Sequence, residues 1–119
     1  MLWARIAAIF MFLAVAIGAF GAHGLKQKLN PEMLSIFETA VRYHVYHALG
    51  LFVVSWLSDK TTSSIVNASG WAFVLGIVIF SGSLYILSIT GVRWLGAITP
   101  IGGACFLVGW IILATQAVP

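Results

Sequence analysis

Residues 6–22, IAAIFMFLAVAIGAFGA, form an apolar stretch without a single charged side chain. An α-helix of this length covers about 25 Å at 1.5 Å per residue. Residues 2–5 extend it toward a membrane surface, where Trp3 and Arg5 are suited to anchor it. Since a bilayer core of about 30 Å needs a span of about 20 residues, the stretch predicts a first membrane-spanning helix.

A cleavable signal peptide is the alternative interpretation of the same stretch. Arg5 supplies a basic start, and Ala19-Phe20-Gly21 loosely fits a small-x-small cleavage site. Cleavage would leave only further hydrophobic helices rather than a secreted domain. We therefore expect the segment to be retained.

The whole chain has the composition of a membrane protein. Of its 119 residues, 61% are hydrophobic and 8% are charged, with a mean hydropathy of +1.07. Soluble domains average about 45–50% apolar and about 25% charged residues. The net charge of +3 comes from singly scattered Lys and Arg, so nucleic acid is excluded as a partner and the lipid bilayer is the expected one. The lone Cys105 has no partner for an intramolecular disulfide.

Three polar breaks divide the chain into four apolar segments, which predict one transmembrane domain over residues 1–119. Asn30-Pro31-Glu32 has the order of an N-cap, a first helical position and a first-turn acid, so a long second helix is expected over residues 31–57. Residues 58–69, SDKTTSSIVNAS, predict a loop, and residues 91–93 a tight connector. The predicted spans are residues 3–22, 36–57, 70–90 and 94–116, with Pro100 as a kink in the last of them.

Short connections between four such helices predict an all-α fold, an integral membrane four-helix bundle with up-down-up-down topology. Both termini are then on one side of the membrane. The count of Lys and Arg differs by one between the two sides and favours termini outside.

Small residues recur at the spacing that lets helix backbones approach closely in lipid. Ala14, Gly18 and Ala22 share one face of the first span. The pattern predicts either packing within the monomer or a seam between copies, and both remain open. The candidate helix-packing residues are Gly18, Gly21, Gly76, Gly82, Gly102 and Gly103.

The second helix concentrates the polar side chains of the chain. Ionisable groups at membrane depth mark candidate functional sites. At 100° per residue, Tyr46 lies beside Arg42, whereas Tyr43, His44 and His47 occupy a broadly opposite sector. Glu38 and Arg42 have the i, i+4 spacing of an ion pair, and we predict that they form a mutually dependent, partly buried pair. With His23 at the end of the first span, the candidate cluster comprises His23, Glu38, Arg42, Tyr43, His44, Tyr46 and His47.

Metal or haem binding by the histidines is a weaker hypothesis. HEXXH and CXXCH motifs are absent, and a structural zinc site needs four matched ligands. The sequence also has no GxSxG, Walker or dinucleotide-binding motif, and Glu38 is the only carboxylate within a predicted span. We therefore predict no enzymatic activity, no catalytic residue and no cofactor.

Four motifs carry a family resemblance: GAFGAHGL (residues 18–25), ETAVRYHVYHAL (38–49), FSGSLY (80–85) and GAITPIGG (96–103). They resemble, in this order, a family of small bacterial inner-membrane proteins of unknown function, which is related to a small four-span mitochondrial membrane protein of animals. The resemblance implies a four-helix, multi-pass protein of the cytoplasmic (inner) membrane, and it supplies no catalytic residues.

Two classes of function follow from these residues. The first is a non-enzymatic membrane protein that binds a lipid, another membrane protein or its own copies as a homo-oligomer. The second is a small oligomeric transporter or proton-linked channel in which Glu38, Arg42 and the two histidines of the second helix form a relay.

Overall fold

The computed structural model describes residues 2–117, and within this range the chain is helical and contains no strand. Helix α1 covers Leu2–Leu25, α2 covers Pro31–Ser58, α3 covers Ile65–Thr90 and α4 covers Thr99–Gln116, with a short 3-10 helix over Arg93–Ala97 before α4. The predicted all-α fold is confirmed. Three segments, Leu2–Leu25, Ile65–Thr90 and Arg93–Gln116, are long and apolar enough to cross a membrane.

Helix α2 begins where the sequence predicts. The Asn30 side chain accepts a hydrogen bond of 2.8 Å from the Met33 backbone N–H, and Pro31 occupies the first helical position, where a missing N–H leaves nothing unsatisfied. Glu32 adds a negative charge to the first turn. The helix continues for 28 residues, to Ser58.

Helix α3 begins five residues earlier than predicted, so the loop before it shrinks to residues 59–64. The reason is that two of its polar residues have partners inside the fold. Ser69 donates a hydrogen bond of 2.6 Å to the Val66 carbonyl, and Asn67 accepts one of 2.8 Å from the Trp3 indole N–H. The Trp3 side chain is therefore buried against α3. Gly91, at a φ of 73°, ends α3 in the left-handed region that glycine favours.

Pro100 starts a helix instead of kinking one. It lies in the first turn of α4, directly after the 3-10 helix. A proline in the first turn removes no intrahelical hydrogen bond. The predicted α-helix from residue 94 is thus 3-10 helix over its first residues, and Pro100 lies at the start of the α-helical part rather than within it.

Helices α1 and α3 each contain one turn of π-helix, over Ile17–Gly21 and Ile77–Ser81. Such a turn holds one residue more than an α-helical turn and is common at functional sites. Both π-helical turns lie next to α2 in the packed structure.

Helix α2 packs against α1 and α3, and α3 packs against α4. The largest group of buried apolar side chains lies where these helices meet, between Trp3 of α1, Leu57 of α2 and Leu113 of α4. It continues through Phe73 and Phe106. The core therefore joins all four helices.

Four of the six predicted packing glycines mark close helix contacts. A β-carbon at Gly18 would lie 3.0 Å from the Val41 side chain. One at Gly21 would overlap Phe37, and one at Gly76 would overlap Phe106. At Gly102 it would overlap the Phe80 backbone, so α3 and α4 approach most closely there.

The other two predicted packing glycines make no such contact. A β-carbon at Gly82 would meet nothing within 4 Å. At Gly103 it would lie 3.9 Å from the Phe80 ring, an ordinary van der Waals distance. These two glycines are therefore not required for close packing, because there is open space at Gly82 and room for a β-carbon beside Phe80 at Gly103.

Candidate functional site

The polar side chains in the first half of α2 point in two directions, as the helical spacing predicts. His44 and His47 are buried, with 3% and 5% of their surface exposed. Glu38, Arg42 and Tyr46 are exposed on the outside of the bundle. The candidate cluster is thus divided into an inner and an outer set.

His47 joins α2 to α4 through one ring nitrogen and bonds its own helix through the other. Nε2 accepts a hydrogen bond of 3.0 Å from the Trp110 indole N–H, so it carries no proton. Nδ1 lies 2.8 Å from the Tyr43 carbonyl oxygen, which only accepts, so Nδ1 carries the proton and donates. The ring also stacks on Phe106, with centroids 3.5 Å apart. This imidazole is fully used in helix packing.

His44 joins α2 to α3 through one ring nitrogen. Nδ1 lies 2.8 Å from the Tyr85 hydroxyl oxygen. Nε2 is buried and has no hydrogen-bond partner among residues 2–117. The Phe10 ring of α1 meets the imidazole edge-on, with centroids 6.0 Å apart. His44 is therefore the inner polar group with unused hydrogen-bonding capacity.

The serines of α3 supply further polar contacts between helices. Ser81 donates a hydrogen bond of 2.7 Å to the Ala40 carbonyl of α2, from the end of the π-helical turn. The hydroxyls of Ser83 and Thr99 lie 2.6 Å apart and join α3 to α4. Inter-helix hydrogen bonds of this kind contribute about 0.6 kcal/mol each on average within membranes.

Glu38 and Arg42 do not form the predicted pair. Both are exposed, and within residues 2–117 neither makes a hydrogen bond or an ion pair to another residue. The i, i+4 spacing permits a contact, but nothing covers the two side chains to hold them together. The prediction of a partly buried pair is wrong for the single chain.

The ion pair of the described chain lies at one end of the bundle, between Arg93 and Glu32. The two guanidinium nitrogens donate hydrogen bonds of 2.8 and 3.2 Å to the two carboxylate oxygens. The guanidinium holds the pKa of Glu32 below its ordinary value of 4.5. The pair joins the start of α2 to the segment that follows α3. Because both side chains are exposed, it adds little to the stability of the fold.

His23 lies apart from the other candidates. It is exposed near the end of α1, whereas His44 is buried, so the two side chains do not belong to one site. Among the described residues, no three His, Cys, Asp or Glu side chains are grouped so that they could hold a metal ion.

An open groove of about 520 Å³ runs between α2 and α4 beside His47. Tyr43 and Phe80 form one side, and Phe106 and Trp110 form the other. The sequence does not identify Trp110 or Asn67 as partners of polar groups. Each of them has a hydrogen-bonding side chain within an otherwise apolar helix. This pattern predicts that the side chain has a hydrogen-bond partner but does not identify the partner.

Comparison with known proteins identifies relatives over nearly the whole chain. The profile of the family described as Protein of unknown function (DUF423) matches residues 17–103. UPF0382 membrane protein YwdK of Bacillus subtilis is 54% identical over 112 residues, which cover 93% of this chain and 91% of the relative. A UPF0382 membrane protein of Staphylococcus epidermidis is 55% identical over 106 residues, 89% of this chain and 86% of that protein.

No solved structure matches the chain. The relatives are named as membrane proteins, in agreement with the three helices that are long and apolar enough to span a bilayer. The chain therefore belongs to the DUF423 family, a family of membrane proteins whose function is unknown.

Proposed function

We propose that the chain is a non-enzymatic, multi-pass protein of the cytoplasmic membrane that acts by binding another membrane component. The binding surface is the outward face of α2. We call its six exposed side chains the outer stripe: Glu38, Arg42, Tyr46, Leu49, Val53 and Trp56.

The proposal includes four membrane crossings, with α2 as the second. Support comes from the level at which α2 meets α3. Ser81, which donates to the Ala40 carbonyl, lies nine residues before the end of α3, or about 13 Å along the helix axis. A hydrocarbon core of about 30 Å that is centred on α3 therefore includes Ala40.

Contacts at the two ends of the molecule support up-down-up-down topology. Trp3 at the start of α1 bonds Asn67 near the start of α3. Glu32 at the start of α2 bonds Arg93, which follows the end of α3. Adjacent helices in this arrangement run in opposite directions.

The observation that carries the binding function is the division of the polar side chains of α2. His47 is fully engaged within the bundle, whereas Glu38 and Arg42 point outward and have no partner among residues 2–117. With α2 as a membrane span, both charges lie at membrane depth. A lone charge at the centre of a span costs about 2.5–3.5 kcal/mol on insertion scales. A bound component that covers the outer stripe would offset this cost.

Mass spectrometry of the intact protein in nanodiscs cut directly from native membranes tests the binding function. We expect the wild-type particle to retain a lipid, a second copy or another protein. The variant with Glu38→Leu and Arg42→Leu removes both outward charges and should lose that component. Equal composition of the two particles would contradict binding through the outer stripe.

The second candidate function, a proton-linked channel or transporter, is favoured by one observation. Nε2 of His44 is buried and has no hydrogen-bond partner among the described residues, while Nδ1 of the same ring lies 2.8 Å from the Tyr85 hydroxyl. Proteoliposomes that enclose a pH-sensitive dye would report proton flux, and His44→Gln should abolish it. Absence of flux through the wild-type protein would remove this candidate.

A further inference from the structure

We infer that the outer stripe pairs with the same stripe of a second copy, so that Glu38 of each copy binds Arg42 of the other. This inference rests on the proposed function, because it identifies the component that the outer stripe binds. The two α2 helices lie side by side and parallel, around a two-fold axis along the membrane normal.

The geometry of the stripe suits a helix as the binding partner. Its six residues follow one another at steps of four, four, three, four and three positions. Steps of three and four keep side chains on one helix face, and this is the spacing with which pairs of helices pack. The exposed fractions of Tyr46, Leu49 and Trp56 are 50%, 52% and 61%, so the stripe is open over most of its length.

The charges of the stripe favour a copy of the same chain. The stripe carries one acid and one base, four residues apart, and neither has a partner among residues 2–117. Two-fold symmetry turns this arrangement into two identical ion pairs. Apolar Leu49, Val53 and Trp56 continue the contact toward the other membrane surface.

The direction of the arginine side chain fits a parallel pair. Long side chains of an α-helix lean toward its amino-terminal end. The guanidinium of Arg42 is therefore shifted toward the depth of Glu38, and a parallel neighbour presents its own Glu38 at that depth. An antiparallel neighbour would place the two charges at different depths.

Complementary charge reversal tests the pairing and separates it from an ion pair within one helix. The variant Arg42→Glu carries two acids in the stripe, and the variant Glu38→Arg carries two bases. Each variant alone should self-associate about three- to twentyfold more weakly than wild type, as expected for the loss of polar contacts between helices in a membrane.

Coexpression of the two variants, each with its own affinity tag, restores both ion pairs only across copies. We expect the mixed pair to be recovered at the level of wild type. A pair within one helix predicts no recovery on mixing, because neither variant carries both charges. Mixed association no stronger than that of either variant alone would overturn the inference.

Cysteine crosslinking in native membranes measures the same contact without changing the charges. In a Cys105→Ala background, Tyr46→Cys or Leu49→Cys should give an adduct of twice the chain mass on oxidation. Ile86→Cys is the matched control, since Ile86 is 53% exposed on α3 and follows Tyr85, which meets His44 of α2. It should remain a monomer.

The crosslinking outcomes distinguish this inference from the proposed function. An adduct of the stripe cysteines with a different protein would overturn the pairing of copies and keep the binding function of the stripe. Equal crosslinking at Tyr46→Cys, Leu49→Cys and Ile86→Cys would overturn the pairing. A stripe that gives no adduct, while the native nanodisc particle still retains a lipid, would overturn the pairing alone.

Discussion

Gly102 is a residue at which a single side-chain atom would meet the backbone of another helix. Its α-carbon faces the backbone of Phe80, at the π-helical turn of α3, and a β-carbon has no room there. A flexible side chain can move aside, but a helix backbone cannot move without shifting its neighbours. The distance between α3 and α4 therefore depends on the absence of one methyl group.

We predict that Gly102→Ala destabilises the protein by about 1–3 kcal/mol, the usual effect of overpacking a close contact. Gly82→Ala is the matched control, since a β-carbon there meets nothing within 4 Å. Alanine also has the higher helix propensity, so the control should show no loss of stability. Thermal unfolding in a mild detergent measures both. Equal stability of the two variants would show that α3 and α4 are not in close contact at Gly102.

The sequence predicts the helix face on which a residue lies better than it predicts the residue that it contacts. Helical spacing places His44 and His47 opposite Arg42, as the structure has them. It does not distinguish Gly102 from Gly103, because one residue is a rotation of 100° and only the position of α3 decides which of the two faces it. Partners such as Trp110 lie 63 positions away from His47, and no local pattern reports them.

At the scale of elements, the π-helical turns are features that composition does not reveal. The turn over Ile77–Ser81 directs the Ser81 hydroxyl to the Ala40 carbonyl of α2. A π-helical turn accommodates one extra residue between two α-helical segments without rotating them strongly against each other. It therefore sets the register in which α3 presents Ser81 and Tyr85 to α2.

We predict that deletion of Val78, an exposed residue of this turn, converts the turn to regular α-helix and leaves a folded protein. Deletion of Leu107 is the control, because it is similarly exposed but lies within the uninterrupted α4. That deletion rotates Trp110 by about 100° away from His47. Size-exclusion profiles and helical circular dichroism should show a folded protein in the first case only. Misfolding of both variants would mean that the extra residue is required for stability.

Helix boundaries are predictable where a local signal sets them. Asn30 caps the first turn of α2 and Pro31 fits its first position, and both effects depend on these two residues alone. The start of α2 therefore agrees with the prediction. Asn67 and Ser69 belong to residue types that favour loops, and their place in a helix depends on Trp3 and on the Val66 carbonyl. The start of α3 therefore depends on contacts within the folded protein and not on the local sequence alone.

At the scale of the whole molecule, two contacts fix which helix ends lie together. Trp3 and Asn67 join α1 to α3 at one end, and Glu32 and Arg93 join α2 to the segment after α3 at the other. The molecule is 49 Å long and 26 by 19 Å across, longer than a hydrocarbon core of about 30 Å. Both ends therefore reach the headgroup regions when the long axis lies along the membrane normal.

We predict that reporters fused after Leu25, Thr62, Arg93 and Pro119 alternate between the two sides of the membrane. The reason is that each intervening segment contains a helix long enough to cross. Alkaline phosphatase, active outside, and a fluorescent protein, active inside, give opposite readings and control each other. Identical readings after Leu25 and Thr62 would place α2 along the membrane surface and contradict four crossings.

The order in which the helices are synthesised gives the polar contacts of α2 a consequence for biogenesis. The groups that satisfy Ala40 and His44 lie 41 positions later in the chain, and the indole that satisfies His47 lies 63 positions later. At about 5–20 residues per second, the ribosome supplies them about 2 to 13 s after α2 itself. During this interval the two imidazoles of α2, the most polar of the four helices, lack the hydrogen bonds that they make to α3 and α4. We therefore expect α2 to reach its final packing only after the last helix has been synthesised.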